Sequence, residues 1–196
     1  STVDEAIEQT ETLIAKMQQI KAGLMHDLFT RGVTKDGQLR PPREEAPHLY
    51  KESPLGWIPK EWEVVNLGET LSSIDAGKSP DCPDTPATYN QWGVLKVGAV
   101  NPEGFRPQEN KVVLNPLLHN HTYLINNGDI LFTRANTVDL VGLVCHVHET
   151  SSNLMLSDKT LRLRVHDSVM DGRYLFWTLQ FQPVRRQIEN LATGTS

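Results

Sequence analysis

The chain has 196 residues, 38% of them apolar, and carries 19 lysines and arginines against 24 aspartates and glutamates, a net charge of −5. That length fits one domain, or one domain with a long appendage, and the apolar share is too high for a disordered chain. No run approaches the roughly 18 to 20 apolar residues of a membrane span, and the acidic balance argues against a polycationic nucleic-acid binder. Ser1 to Glu5 show neither the basic start nor the apolar block of a secretory signal, and Cys82 and Cys145 form no disulfide framework, so a cytoplasmic location is expected.

Val3, Ala6, Thr10, Leu13, Met17, Ile20 and Leu24 recur at alternating spacings of three and four, the seam of a heptad pattern. Ile7, Ile14 and Leu28 widen the seam, and Glu8, Glu11, Lys16 and Lys21 take other faces. Thr2 with Glu5 fits a capping box, and Arg31-Gly32 supplies a basic last turn and a left-handed cap. The pattern predicts one helix from about Val3 to Phe29. Such a helix cannot bury its own stripe. It either folds back on its own domain or forms a coiled-coil arm, with Leu13, Met17, Ile20, Leu24 and Leu28 as helix-packing residues; periodicity favours the arm.

Gly32 to Trp57 is rich in Pro, Gly and charge, with Pro41, Pro42, Pro47 and Pro54, and reads as a connector. Three regions are therefore expected: the helix at 1–31, the connector at 32–56 and a body at 57–196. In the body, β-like runs occur at Glu63 to Leu67, Val94 to Val97, Lys111 to Leu114, Asp129 to Thr133, Leu140 to Val147 and Thr160 to Val165. Asp75 to Gln91, with Pro80, Pro83 and Pro86, reads as a surface loop. Asp171 to Leu191 has a helical pattern that Pro183 divides into two short helices. Strands do not alternate with helices of βαβ length. The expected fold class is α+β: a long helical arm, then a mixed body with small twisted sheets.

Catalytic signatures are missing. There is no GxGxxG, GxxxxGK[ST] or GxSxG sequence, and no acidic-x-Lys strand follows Asp81. Cys145, His146 and His148 lie close together, as do His119 and His121. On a strand His146 and His148 would share a face, yet the four-ligand spacing of a zinc site is absent, so these read as ordinary strand or loop histidines and no metal or cofactor is expected.

Polar and basic residues in the expected loops carry more information. Lys78, Ser79, Tyr89, Asn90 and Gln91 lie in or beside the Pro-rich loop, and Arg134, Asn136 and Thr137 follow a strand. Asn and Gln can bond adenine, Arg and Lys can bond guanine, and Thr can touch a thymine methyl. Lys159, Arg162, Arg164, Arg173, Arg185 and Arg186 face only Asp167 and Asp171 over the same stretch, which would suit phosphate contacts. On these residues alone a solvated polar face is the plainer reading.

The chain resembles the specificity subunit of type I restriction–modification systems. Thr2 to Ile7, continuing through Leu13-Ile14-Ala15-Lys16-Met17 to Gly23-Leu24-Met25-His26-Asp27-Leu28-Phe29-Thr30-Arg31-Gly32, is similar to that family's conserved helix. Leu55-Gly56-Trp57-Ile58-Pro59-Lys60-Glu61-Trp62 resembles the start of a target recognition domain. Gly77-Lys78-Ser79-Pro80, Asn127 to Arg134 and Ala192 to Ser196 resemble further family motifs. The resemblance implies the C-terminal half of a longer subunit, one conserved helix and one target recognition domain. It implies a non-catalytic subunit that reads one half of a bipartite double-stranded DNA target. Methylation subunits, which hold S-adenosylmethionine, and through them restriction subunits, would be its partners, with helix-mediated self-association a further route. The family motifs do not carry over which positions touch DNA; on side-chain chemistry Gln91, Arg134 and Asn136 are expected to read base edges, and Lys78, Lys159 and Arg162 to hold phosphates. The competing expectations are an enzyme with its own methyltransferase or nuclease centre, and a coiled-coil assembly or adaptor module that reads no DNA.

Overall fold

The structure, a computed structural model, describes residues 2–134, 140–150 and 153–192, arranged as two compact units, Ser1–Val64 and Val65–Ser196. The first unit opens with α1, Thr2–Thr30, as the heptad pattern predicts; at 1.5 Å per residue it is about 43 Å long. None of its residues is buried, and the whole apolar stripe faces outward, Leu13 at 53% and Leu24 at 57% exposure.

The end of α1 is tightly fixed. Gly32 has φ of +63°, the left-handed cap its sequence position promised, and a Cβ there would stand 2.5 Å from the Trp62 ring. Arg40 is buried and donates to the Arg31 carbonyl and the Glu61 carboxylate, while Arg31 returns a bond from Nε to the Arg40 carbonyl at 2.7 Å. The Pro-rich stretch read as a connector thus contains ordered structure. It leads into an antiparallel hairpin of β1, Tyr50–Ser53, and β2, Gly56–Pro59, with the Tyr50 hydroxyl donating to the Pro41 carbonyl at 2.7 Å. Arg43 lies 3.9 Å above the Trp57 ring.

The second unit contains α2, Leu67–Thr70; β3, Leu71–Ala76; β4, Gly93–Leu95; β5, Val100–Asn101; β6, Gly104–Phe105; β7, Asn110–Val112; β8, Ile130–Thr133; and β9, Val144–His146. It continues with β10, Leu154–Met155; β11, Thr160–Val165; α3, Gly172–Gln180; and α4, Gln182–Leu191. A four-stranded antiparallel sheet has the order β3-β11-β8-β9, and a three-stranded sheet the order β10-β4-β7. The larger sheet is covered on both faces. Ile130, Val144 and Leu163 pack with Leu175 and Leu179 of α3, while Leu131 and Cys145 point the other way, into a cluster with Val100, Ile125, Leu154 and Leu156. This double burial explains the unbroken apolar run of β8.

The fold class is α+β, as expected, and α3 and α4 divide at Pro183, which sits in the first turn of α4. Two strand expectations need correction. Glu63 to Leu67 forms no strand, and the strand lies instead at β3, whose last two residues, Asp75 and Ala76, had been expected to open the surface loop. The expected strand Leu140 to Val147 narrows to β9, because residues 140–142 form a turn.

Candidate nucleic-acid interface

The candidate residues separate into three groups. Lys78, Ser79, Arg134 and Lys159 converge at one end of the four-stranded sheet. Lys78 and Ser79 follow β3, Arg134 follows β8, and Lys159 precedes β11, the strand between those two. Backbone bonds tie the segments together: Arg134 N–H donates to the Lys159 carbonyl at 3.1 Å, and Gly77 N–H to the Ser157 carbonyl at 3.0 Å. Gly77 is indispensable to that approach, since a Cβ would lie 1.9 Å from the Leu156 carbonyl oxygen. Ser79 donates its hydroxyl to the Asp158 carboxylate, and Asp158 N–H donates back to Ser79 Oγ at 3.4 Å. Lys78, Arg134 and Lys159 are exposed and form no ion pair with a described residue.

Thr133 fixes the stem from which Arg134 emerges. It is fully buried; its hydroxyl donates to the Leu140 carbonyl and accepts from Leu143 N–H at 2.9 Å, while its carbonyl accepts from Gly142 N–H at 2.7 Å. Asn136 and Thr137, expected beyond that stem, lie outside the described residues.

Tyr89, Asn90 and Gln91 form a second group on the turn that leads into β4, all exposed, with Tyr89 at 80%. Gln91 Oε1 is already engaged, accepting from Thr88 N–H and from the Thr88 hydroxyl, each at 2.9 Å. Its amide NH2 remains the group that can face a ligand.

Arg162 stands apart and corrects a sequence expectation. It is 3% exposed, and all its donors are used internally. Nε and Nη2 meet Asp75 Oδ2 at 3.0 and 2.9 Å, Nη1 reaches Asp129 Oδ2 at 3.2 Å and the Leu124 carbonyl at 2.7 Å, and Nη2 reaches the Thr122 carbonyl at 3.0 Å. No donor is left for a phosphate. The basic stretch around it is likewise largely neutralised: Arg164 pairs with Asp75 at 2.8 Å and Arg185 with Glu189 at 2.8 Å, and Arg173 lies 3.9 Å from Asp171. A cleft of about 550 Å³ beside β11 mixes Arg164 and Arg173 with Asp129, Asp167 and Asp171, so it presents no uniform charge.

Burial acts to raise the pKa of Asp75, but hydrogen bonds from Arg164, Ser73 and Arg162 outweigh it and hold the carboxyl below its ordinary range. Asp84, which sequence reasoning passed over, accepts from Lys96 at 2.7 Å with Lys111 at 3.7 Å, and these lysines keep its carboxyl ionised below the usual range. The histidines serve packing. His119 stacks on Trp92 with centroids 4.5 Å apart and bonds the Val113 carbonyl at 2.9 Å, and His146 meets His148 edge-on at 4.4 Å. Cys145, on the opposite face of β9, is fully buried, and burial pushes its thiol up to about 12. Among the described residues no cluster of three or more His, Cys, Asp or Glu side chains could hold a metal ion, and no helix is long and apolar enough to cross a membrane.

No protein-family model matches the chain. It is 34% identical over 169 residues to the type I restriction enzyme EcoEI specificity subunit of Escherichia coli, covering 86% of this chain and 27% of that one. It is 24% identical over 204 residues to the type I restriction enzyme MjaVIII specificity subunit of Methanocaldococcus jannaschii, covering 100% of this chain and 43% of that one. The chain therefore spans well under half the length of these curated relatives. The crystal structure of the HsdS subunit from Thermoanaerobacter tengcongensis shares the fold, with a TM-score of 0.52 at 16% identity over 97% of this chain and 40% of that chain.

Proposed function

We propose that this chain, which is homologous to part of the specificity subunit of type I restriction enzymes, is a DNA-recognition module. It reads one half of a bipartite double-stranded target and directs adenine methylation and restriction by partner subunits, performing no catalysis itself. The observation that carries this reading is the sheet end. Three cations, Lys78, Arg134 and Lys159, arrive there from three separate segments and stand exposed without ion pairs among the described residues. Lys78 and Lys159 would hold phosphates, and Arg134 and Gln91 would read base edges. Arg162 is withdrawn from the contact set because its donors are spent inside the sheet.

In this proposal α1 is the spacer and docking arm. Its exposed stripe through Leu13, Met17, Ile20, Leu24 and Leu28 awaits another helix or a methylation subunit. The domain division at 1–31, 32–56 and 57–196, the C-terminal-half assignment and the cytoplasmic location belong to the same proposal. The bare stripe also favours a second reading, an assembly module that reads no DNA. Genome-wide mapping of adenine methylation separates the two. Exchanging residues 65–196 for those of a relative with another target should change one half-site and preserve the spacing. An unchanged target overturns the DNA-reading role and leaves the assembly role.

A further inference from the structure

Asp158 is the only acid within residues 77–80 and 156–160, and it immediately precedes Lys159 in the chain. A surface carboxylate so placed would ordinarily pair with a neighbouring ammonium group. Here it pairs with neither Lys78 nor Lys159. Its Oδ1 takes the Ser79 hydroxyl instead, and its backbone N–H returns a bond to Ser79 Oγ at 3.4 Å. The close approach this needs is made by Gly77, whose missing side chain lets the loop lie against the Leu156 backbone.

We infer that Ser79 and Asp158 are positioning residues for the cationic sheet end: their hydrogen bond fastens the 77–80 loop and turns the Asp158 carboxylate from the lysines, leaving both ammonium groups open to phosphate. This rests on the DNA-reading role proposed above. Ser79 acts through Lys78 and Lys159 and itself touches no base. Its side chain is exposed, so loss of the hydroxyl should leave the fold intact while releasing the carboxylate onto the lysines.

The test measures binding of the full chain to a short duplex DNA by fluorescence anisotropy across a salt series, with thermal unfolding alongside. Ser79→Ala should weaken binding by about 2- to 10-fold and lower the salt slope by about one, with an unchanged unfolding midpoint. Ser79→Thr should restore both values. Ser79→Ala should add nothing to the combined Lys78→Ala and Lys159→Ala variant, as expected of a residue that acts through those two lysines. Asp158→Asn keeps an acceptor for Ser79 and removes the charge, so it should bind at least as tightly as the natural chain. If Lys78→Ala weakens binding while Ser79→Ala does not, or Ser79→Thr fails to rescue, the positioning role is overturned and the DNA-reading role stands. If the natural chain does not bind, or Lys78→Ala binds like it, the DNA-reading role fails and this inference with it.

Discussion

The guanidinium of Arg162 and the carboxylate of Asp75 meet at 2.9 Å across the β11–β3 pair, with Asp129 of the strand-entry turn 3.2 Å from the same guanidinium. One buried cation therefore links β3, β11, the approach to β8 and the carbonyls of Thr122 and Leu124. Removing it takes a charged donor from two carboxylates and two carbonyls at once, although Arg164 and Ser73 still bond Asp75 and the Asn126 N–H still bonds Asp129. Arg162→Ala should cost about 3 to 5 kcal/mol of stability, the range for breaking a buried pair. Denaturant unfolding of the chain measures this, and a loss under 1 kcal/mol would contradict the keystone role.

Asp75 gives this network a pH dependence. Its carboxyl titrates below the ordinary value of 3.8 in the folded chain, so the unfolded chain takes up its proton first as pH falls. The stabilisation is present above about pH 4 and is lost as pH falls through the lower folded value. His146 adds a second window. Burial, then His148 and Arg173, lower its folded value below 6.5, so stability should decline from about pH 6.5 downward until the folded value is passed. Unfolding titrations of His146→Gln should lack the upper decline and keep the acid one.

Gly32→Ala tests the junction at the end of α1. A side chain there meets both a φ of +63° and the Trp62 ring at 2.5 Å. The backbone alone costs about 1 kcal/mol, and displacing the indole should bring the total to about 2 to 4 kcal/mol. Unfolding followed by Trp fluorescence reads the change directly, and Gly37→Ala serves as a comparison, since its φ is +75° but nothing lies within 4 Å.

The elements that sequence reading found are those whose signal is local. The heptad seam specifies α1, Pro183 divides α3 from α4, and the β-like run Thr160 to Val165 matches β11 at both ends. What it missed depends on distant neighbours. β3 is written Leu-Ser-Ser-Ile-Asp-Ala, and its polar residues belong in a strand only because β11 supplies the partner and Arg162 the countercharge. Arg162 was expected to hold phosphate because it lies in a basic stretch. Nothing near it in sequence announces that residues 122–124 cover it. At the sheet end, Lys78, Ser79, Arg134 and Lys159 were recognised by residue type, but their convergence follows from the strand order β3-β11-β8. Asp158 went unnoticed beside Lys159, although an acid inside a basic candidate site is itself a signal.

The proposed division of labour at the sheet end predicts two different phenotypes. A lysine on phosphate contributes charge without reading sequence, so Lys159→Ala should weaken binding to every duplex alike and reduce the salt slope by about one. An arginine on a base edge carries discrimination of about 1 to 3 kcal/mol, so Arg134→Ala should relax preference at one position of the half-site. Arg134 stands on a stem held by the buried Thr133, which makes it the better placed of the two for a fixed contact. Binding of both variants to a set of duplexes with single-base changes, at two salt concentrations, separates these outcomes. Equal losses on all duplexes for Arg134→Ala would reassign it to the phosphate backbone, and the base-reading role would then pass to the exposed turn at Tyr89, Asn90 and Gln91.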